Sequence, residues 1–277
     1  MRLISLTIAC AMLAASSSWA QQAPDARAAY VERRGLIEAD SACRLFTPSV
    51  RDALNVGLAQ ARGSLLRAGW TNAQLVELDA AARGAAQRRN CADARTQSAA
   101  DAARRSAAAW VNAGTMTFPG WERAWLARRT PNAMGWRLSQ ELAPNATFGV
   151  RDSAGAQRLA LATTQYPQSA RVTLSLRDPT HARAGEVTLN QRVAYGLAAG
   201  LPAGGRARDY PATHRRQRIG GSAHSVFEFP DAAFRDLLEL DPRESIVLQV
   251  TNGRASERLL VEVGDVAAAR AFLLVRR

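Results

Sequence analysis

Three cysteines, three histidines and a dense run of arginines are the residues of this chain whose types and spacing could do chemistry. Cys43 and Cys91 can form a disulfide in an oxidising compartment, the default for an even number of cysteines in an exported chain; two free buried thiols are the alternative. His214 and His224, with Asp209, could hold a metal or serve a periplasmic hydrolase, although neither ligand-pair spacing nor a fixed scaffold surrounds them. His181 follows an Asp-Pro-Thr turn. Arg206, Arg208, His214, Arg215, Arg216 and Arg218, with Tyr210 among them, form the densest basic cluster. Their mutual repulsion must be screened by water, salt or an anion, so a polyanionic partner would gain from meeting them. A solvated loop that binds nothing is the competing reading of the same residues.

No nucleophile elbow, H-E-x-x-H, phosphate-binding P-loop or Rossmann glycine motif occurs. We therefore expect a non-catalytic protein without a cofactor, acting through protein or envelope contacts, with an anionic envelope component or another envelope protein as partner. The net charge is +12, and every basic residue is arginine because the chain contains no lysine. That charge reads either as an anion-binding surface or as an arginine-rich composition filling solvated helix faces.

Compartment follows from the first residues. Arg2 precedes an apolar run from Leu3 to Ala15, and Ser18-Trp19-Ala20 fits the small-x-small rule for signal-peptidase cleavage. Residues 1–20 are thus expected to be a signal peptide and the protein to be periplasmic or secreted. Cys10 leaves with the peptide unless it is a lipid-bearing cysteine. The run is short for a bilayer span, and no second long apolar run follows it.

The elements that must position these residues divide in two. Pro24 to Ala42 reads as a helix interrupted at Arg33-Arg34-Gly35. Thr47 with Pro48 caps a second helix running to Gly69, striped by Val50, Leu54, Leu58, Ala61 and Leu65. Thr71 and Gln74 make a capping box for a third, striped by Leu75, Leu78, Ala82 and Ala85. These two helices form a hairpin of matched arms whose return brings Cys91 to Cys43. A fourth, alanine-rich helix spans Ala92 to Ala113, giving a helical domain over 21–113. The junction at 114–135 holds Trp121 and Trp125 beside Trp110, read as a wedge between domains or as an exposed aromatic platform.

From Trp136 the apolar period becomes alternating. Strand candidates flank Asp152-Ser153-Ala154-Gly155 and cover 171–177, 186–195 and 225–229. A short helix over 232–240 follows, and strands bracket Asn252-Gly253, a two-residue hairpin signal. The glycine-rich stretch 198–223 reads as a long irregular loop. The fold class is accordingly α+β: a disulfide-pinned helical bundle, then a mainly antiparallel β domain over 136–277 with two late helices. Within it, Phe227-Glu228-Phe229 before a helix, the strand Ile246 to Val250, and Leu259 to Val263 running through Gly264 into an alanine-rich helix set a pattern over 225–275. That pattern resembles the C-terminal part of the invasion-associated locus B family of exported alphaproteobacterial proteins. The resemblance implies a non-enzymatic, envelope-associated sandwich, and the chain lacks the cysteines that family carries in its β domain.

Overall fold

The computed structural model describes residues 22–153, 155–180, 207–219 and 222–276. The expected signal peptide with Cys10, the strand expected at 186–195, His181 and Arg206 lie outside the described residues.

Four helices open the fold: α1 (Gln22–Cys43), α2 (Pro48–Arg67), α3 (Asn72–Gln87) and α4 (Ala94–Asn112). Contrary to the interruption expected at Arg33-Arg34-Gly35, α1 is continuous. A mid-helix glycine costs only about 1 kcal/mol relative to alanine. Against that, Leu36 and Ala39 are buried just beyond it, and Arg33 Nη1 donates to the carbonyl of Gly57 on α2 at 2.8 Å. The Thr47 hydroxyl accepts from the Val50 amide at 3.4 Å, and Thr71 with Gln74 forms the full reciprocal capping box. The buried stripe of α3 is Leu75, Leu78, Ala82 and Ala86, one residue off the expected Ala85 at its end. Packing centres on α1, which lies against both α2 and α3, so the arms of the expected hairpin are held together largely through α1. Cys43, at the end of α1, is bonded to Cys91, just past α3, with 5.5 Å between their Cα atoms.

The β half is a two-layer sandwich. Among the described residues, one sheet has seven antiparallel strands: β1 (Thr115–Pro119), β2 (Ala124–Arg128), β3 (Trp136–Ala143), β4 (Ala146–Ser153), β5 (Ala156–Thr163), β9 (Ser222–Phe229) and β8 (Thr213–Ile219), in that spatial order, and the other has four, in the order β11 (Ala255–Glu262), β10 (Ser245–Asn252), β6 (Arg171–Arg177), β7 (Ala207–Pro211). Trp125, Leu138, Phe148, Leu161 and Phe227 from the first sheet meet Leu174, Ile246 and Leu248 from the second in one buried core. Helix α5 (Asp231–Leu238) packs by β5 and β6, and α6 (Val266–Leu274) packs on β1 to β3 and on α2.

Two segments differ from their sequence reading. The junction at 114–135 contains β1 and β2, which begin the large sheet, because Phe118, Trp125 and Ala127 point inward and make each short strand half-buried. The stretch 198–223, read as irregular, contains β7, β8 and the start of β9. Here one run of chain leaves β7 at Ala212, whose amide donates to the Val172 carbonyl on β6 at 2.9 Å, and crosses from the small sheet to the large one. Strands that switch sheets in this way make the corner of a sandwich.

The halves are locked by buried polar groups. Arg67 of α2 donates through both Nη atoms to the Asp265 carboxylate beside α6, at 2.6 and 2.9 Å. The helices touch there only because Gly63 has no side chain; a β-carbon would overlap Asp265 Oδ1. Within the sandwich, the buried Glu262 carboxylate accepts the backbone N–H groups of Trp121, Glu122 and Arg123 at 2.5, 3.0 and 3.1 Å. The Trp125 indole donates to the carbonyls of Glu262 and Val263 at 3.0 and 2.9 Å. Trp125 is therefore fully buried, and Trp110 and Trp121 are partly so.

Candidate functional site

The two described histidines, His214 and His224, do not converge. His224 is opposite Gln217 in the β8–β9 ladder and shares its face; His214 is opposite Phe227 and lies on the other face, with ring centroids 5.0 Å apart. Residues directly opposite in an antiparallel pair share a face and neighbours in sequence alternate, so His214 and His224 cannot reach one ion or one substrate atom from this strand pair. Asp209, on β7, accepts the Ser175 hydroxyl at 2.5 Å. Among the described residues, no group of three or more His, Cys, Asp or Glu side chains is placed to hold a metal.

The basic cluster is divided among three settings. Arg208, on β7, is engaged: Nη1 donates to Asp236 Oδ2 at 2.6 Å and Nη2 to Asp178 Oδ1 at 2.7 Å. Tyr210 donates to the same Asp236 oxygen at 2.5 Å. Tyr210, Asp236 and Asp178 together hold the guanidinium above its ordinary range, while the Thr180 hydroxyl and amide, then Arg208, hold Asp178 well below the usual carboxylate range. His214 packs on Phe227. Arg215, Arg216 and Arg218 stand exposed on β8, the terminal strand of the large sheet among the described residues. Arg215 reaches Glu228 at 3.6 Å with most of its side chain in water. Arg216 and Arg218 share the opposite face, and among the described residues neither has a carboxylate partner.

β8 is fixed by pairing, not by its own side chains. Seven of its residues are in register with β9, from Thr213 opposite Glu228 to Ile219 opposite Ser222. The arginines thus project from both faces of a held strand, and a charged edge of this kind has two physical consequences. It repels edge-to-edge pairing with another chain, and it presents fixed guanidinium groups to any anionic surface.

A second feature, which sequence reasoning missed, is a cleft of about 580 Å³ among α1, α2 and α3, walled by Tyr30, Arg62, Asn72, Asp79 and Arg83. Asp79 accepts from Tyr30 Oη at 3.0 Å and pairs with Arg34 at 2.8 Å and Arg83 at 2.6 Å. Burial, then Asp79, pushes the Tyr30 hydroxyl up to about 12. A folded-state value raised above the ordinary 10.0 contributes stability that is complete below that value and is lost as pH climbs towards 12. Denaturant midpoints measured from neutral to strongly alkaline pH should therefore fall for the wild type, and less steeply for Tyr30→Phe.

No protein-family model, curated protein or solved structure matches this chain. No helix among the described residues is long and apolar enough to cross a membrane.

Proposed function

We propose that the chain is an exported, non-catalytic envelope protein that uses the β8 edge to hold an anionic envelope surface. The observation that carries this reading is the set of exposed arginines on β8, of which Arg216 and Arg218 have, among the described residues, no carboxylate partner. The disulfide supports an oxidising compartment, since such bonds persist outside the reducing cytosol. The net charge of +12 draws the protein to an acidic surface at long range, and the held strand supplies the short-range contacts. The tail's resemblance to an envelope-associated family agrees with it.

Each arginine near an anionic lipid surface adds about 1 kcal/mol, so three give about 3 kcal/mol, roughly a hundredfold in partitioning. Sedimentation of the processed protein with vesicles of anionic lipid, and with lipopolysaccharide, should show binding that weakens steeply with salt. The variant Arg215→Gln/Arg216→Gln/Arg218→Gln should lose most of it while keeping its melting temperature. Equal binding by the two proteins would remove β8 as the site, and absence of binding by both would leave the arginines as guards of a sheet edge.

A further inference from the structure

Helices α1 and α4 close on one another at Leu36, Ala39, Ala100 and Ala103, which share a buried cluster. Nearer the start of both helices lies a cleft of about 790 Å³. Arg27 and Glu32 of α1, Arg89 from the α3–α4 connection, and Asp93 and Arg95 at the start of α4 line it, and Ala28, Val31 and Ala99 make the apolar part of its wall. Three arginines thus border one concavity. Among the described residues none of Arg27, Arg89 and Arg95 has a hydrogen-bonding or ion-paired partner for its guanidinium. The cleft walled by Tyr30 and Asp79 differs, since there Asp79 holds the neighbouring Arg34 at 2.8 Å and Arg83 at 2.6 Å.

The backbone that carries these groups is held in place. The Cys43–Cys91 bond ties the α3–α4 connection to the end of α1, the Asn90 side chain accepts from the Ala92 amide at 3.0 Å, and the Gln97 side-chain amide donates to the Cys91 carbonyl at 2.5 Å. Arg89 is laid towards α1, with its Nη2 4.0 Å from where a β-carbon on Gly35 would stand. Both carboxylates of the cleft are already committed. Asp93 Oδ2 accepts from the Thr96 amide and hydroxyl at 3.3 and 3.4 Å, capping α4 at the positive end of its dipole. Glu32 acts on its neighbour Arg33, which reaches across to the Gly57 carbonyl on α2. The three guanidinium groups are therefore left without a countercharge of their own, and a concave wall concentrates their field.

We propose that the cleft between α1 and α4 binds the phosphate group of a small, free phosphomonoester. Guanidinium groups present their donors in a planar fork that matches phosphate oxygens. A phosphomonoester carries close to two negative charges at neutral pH and offers three oxygens, so it answers several arginines at once where a carboxylate answers fewer. The volume is that of a small-molecule site. The apolar wall, made only of Ala28, Val31 and Ala99, suits the short body of such a molecule and not an acyl chain. This site lies in the helical half and shares no residue with the β8 edge.

The test is a titration of the processed, disulfide-bonded protein with glycerol phosphate, and separately with acetate and with a short-chain phosphatidic acid kept below its micelle-forming concentration. It is followed through backbone amide signals in nitrogen-correlated proton spectra. Glycerol phosphate should shift the amides of 27–32, 89 and 93–99 together and saturably, and acetate should not. Arg89→Gln/Arg95→Gln should weaken binding by about tenfold or more, the loss of hydrogen bonds to a charged acceptor. If that variant does not fold, Arg27→Gln, with a smaller loss in the same direction, decides alone. Arg215→Gln/Arg216→Gln/Arg218→Gln should bind glycerol phosphate as the wild type does, which separates this site from β8. Shifts with the lipid and none with glycerol phosphate would overturn the free ester as ligand, and equal affinity for acetate would overturn the phosphate assignment. No saturable shift up to millimolar concentrations, or unchanged affinity in the arginine variants, would overturn the site and leave Arg27, Arg89 and Arg95 as solvated charges.

Discussion

Arg67→Met lowers the unfolding free energy by about 3–5 kcal/mol, because it leaves the Asp265 carboxylate buried without its cation. The pair is bidentate, with both side chains almost wholly shielded, and it spans the contact between α2 and α6. Its partner residues are far apart in the chain, so the loss reads out the tie between the helical and β halves and not a local helix effect. Burial raises the Asp265 carboxyl above its ordinary range against the pull of Arg67. In the variant that pull is gone, and the carboxyl is freed from its buried charge by taking a proton as pH falls. The deficit relative to wild type should therefore shrink from neutral to mildly acidic pH. Urea titrations of Arg67→Met and of Arg67→Met/Asp265→Leu check this: the double variant should recover much of the loss, since well-packed apolar residues replace a buried pair at little cost.

Replacing Cys43 and Cys91 together with alanine lowers stability by about 2–4 kcal/mol, the range for a bridge that closes a loop of this length. The loop contains α2 and α3 entire, so the bond restricts a long stretch of unfolded chain. Thermal unfolding of the oxidised wild type, the reduced wild type and the double alanine variant should give one high midpoint and two similar low ones. Because α1 packs on both arms, the helices should persist at low temperature in the variant, seen as unchanged far-ultraviolet dichroism.

The helical half was legible because its signals are local. The Thr47-Pro48 start and the Thr71/Gln74 box fix helix ends by side chains that bond within three residues, and the spacing of Leu54, Ala61 and Leu65 shows the buried face directly. What the pattern could not show is that α1 stands against both arms, since that depends on which apolar stripes meet. Asn252-Gly253 marks the hairpin to within one residue: Asn252 still pairs with Ala255, and the two-residue connection of β10 to β11 is Gly253-Arg254, with Gly253 at a φ of 61°. The β8 segment was misread for a physical reason. An edge strand with Arg215, Arg216 and Arg218 lacks the apolar alternation that marks a half-buried strand, because it relies on β9 for its order. One signal was present: Gly220-Gly221 separates two strand-length segments by two residues, the spacing of a hairpin. That Arg151 stands opposite Trp136 left no trace in spacing, because only the pairing of β3 with β4 puts them side by side. The Arg67 and Asp265 contact is equally silent in sequence.

The central claim, that β8 meets an anionic surface, is tested most directly by amide hydrogen exchange of the processed protein with and without saturating anionic vesicles. The prediction is slowed exchange across 213–219, with β10, β11 and the helical half unchanged, and reversal of that protection by high salt. Protection confined to the cleft between α1, α2 and α3, or no change at β8 while the protein is vesicle-bound, would contradict it.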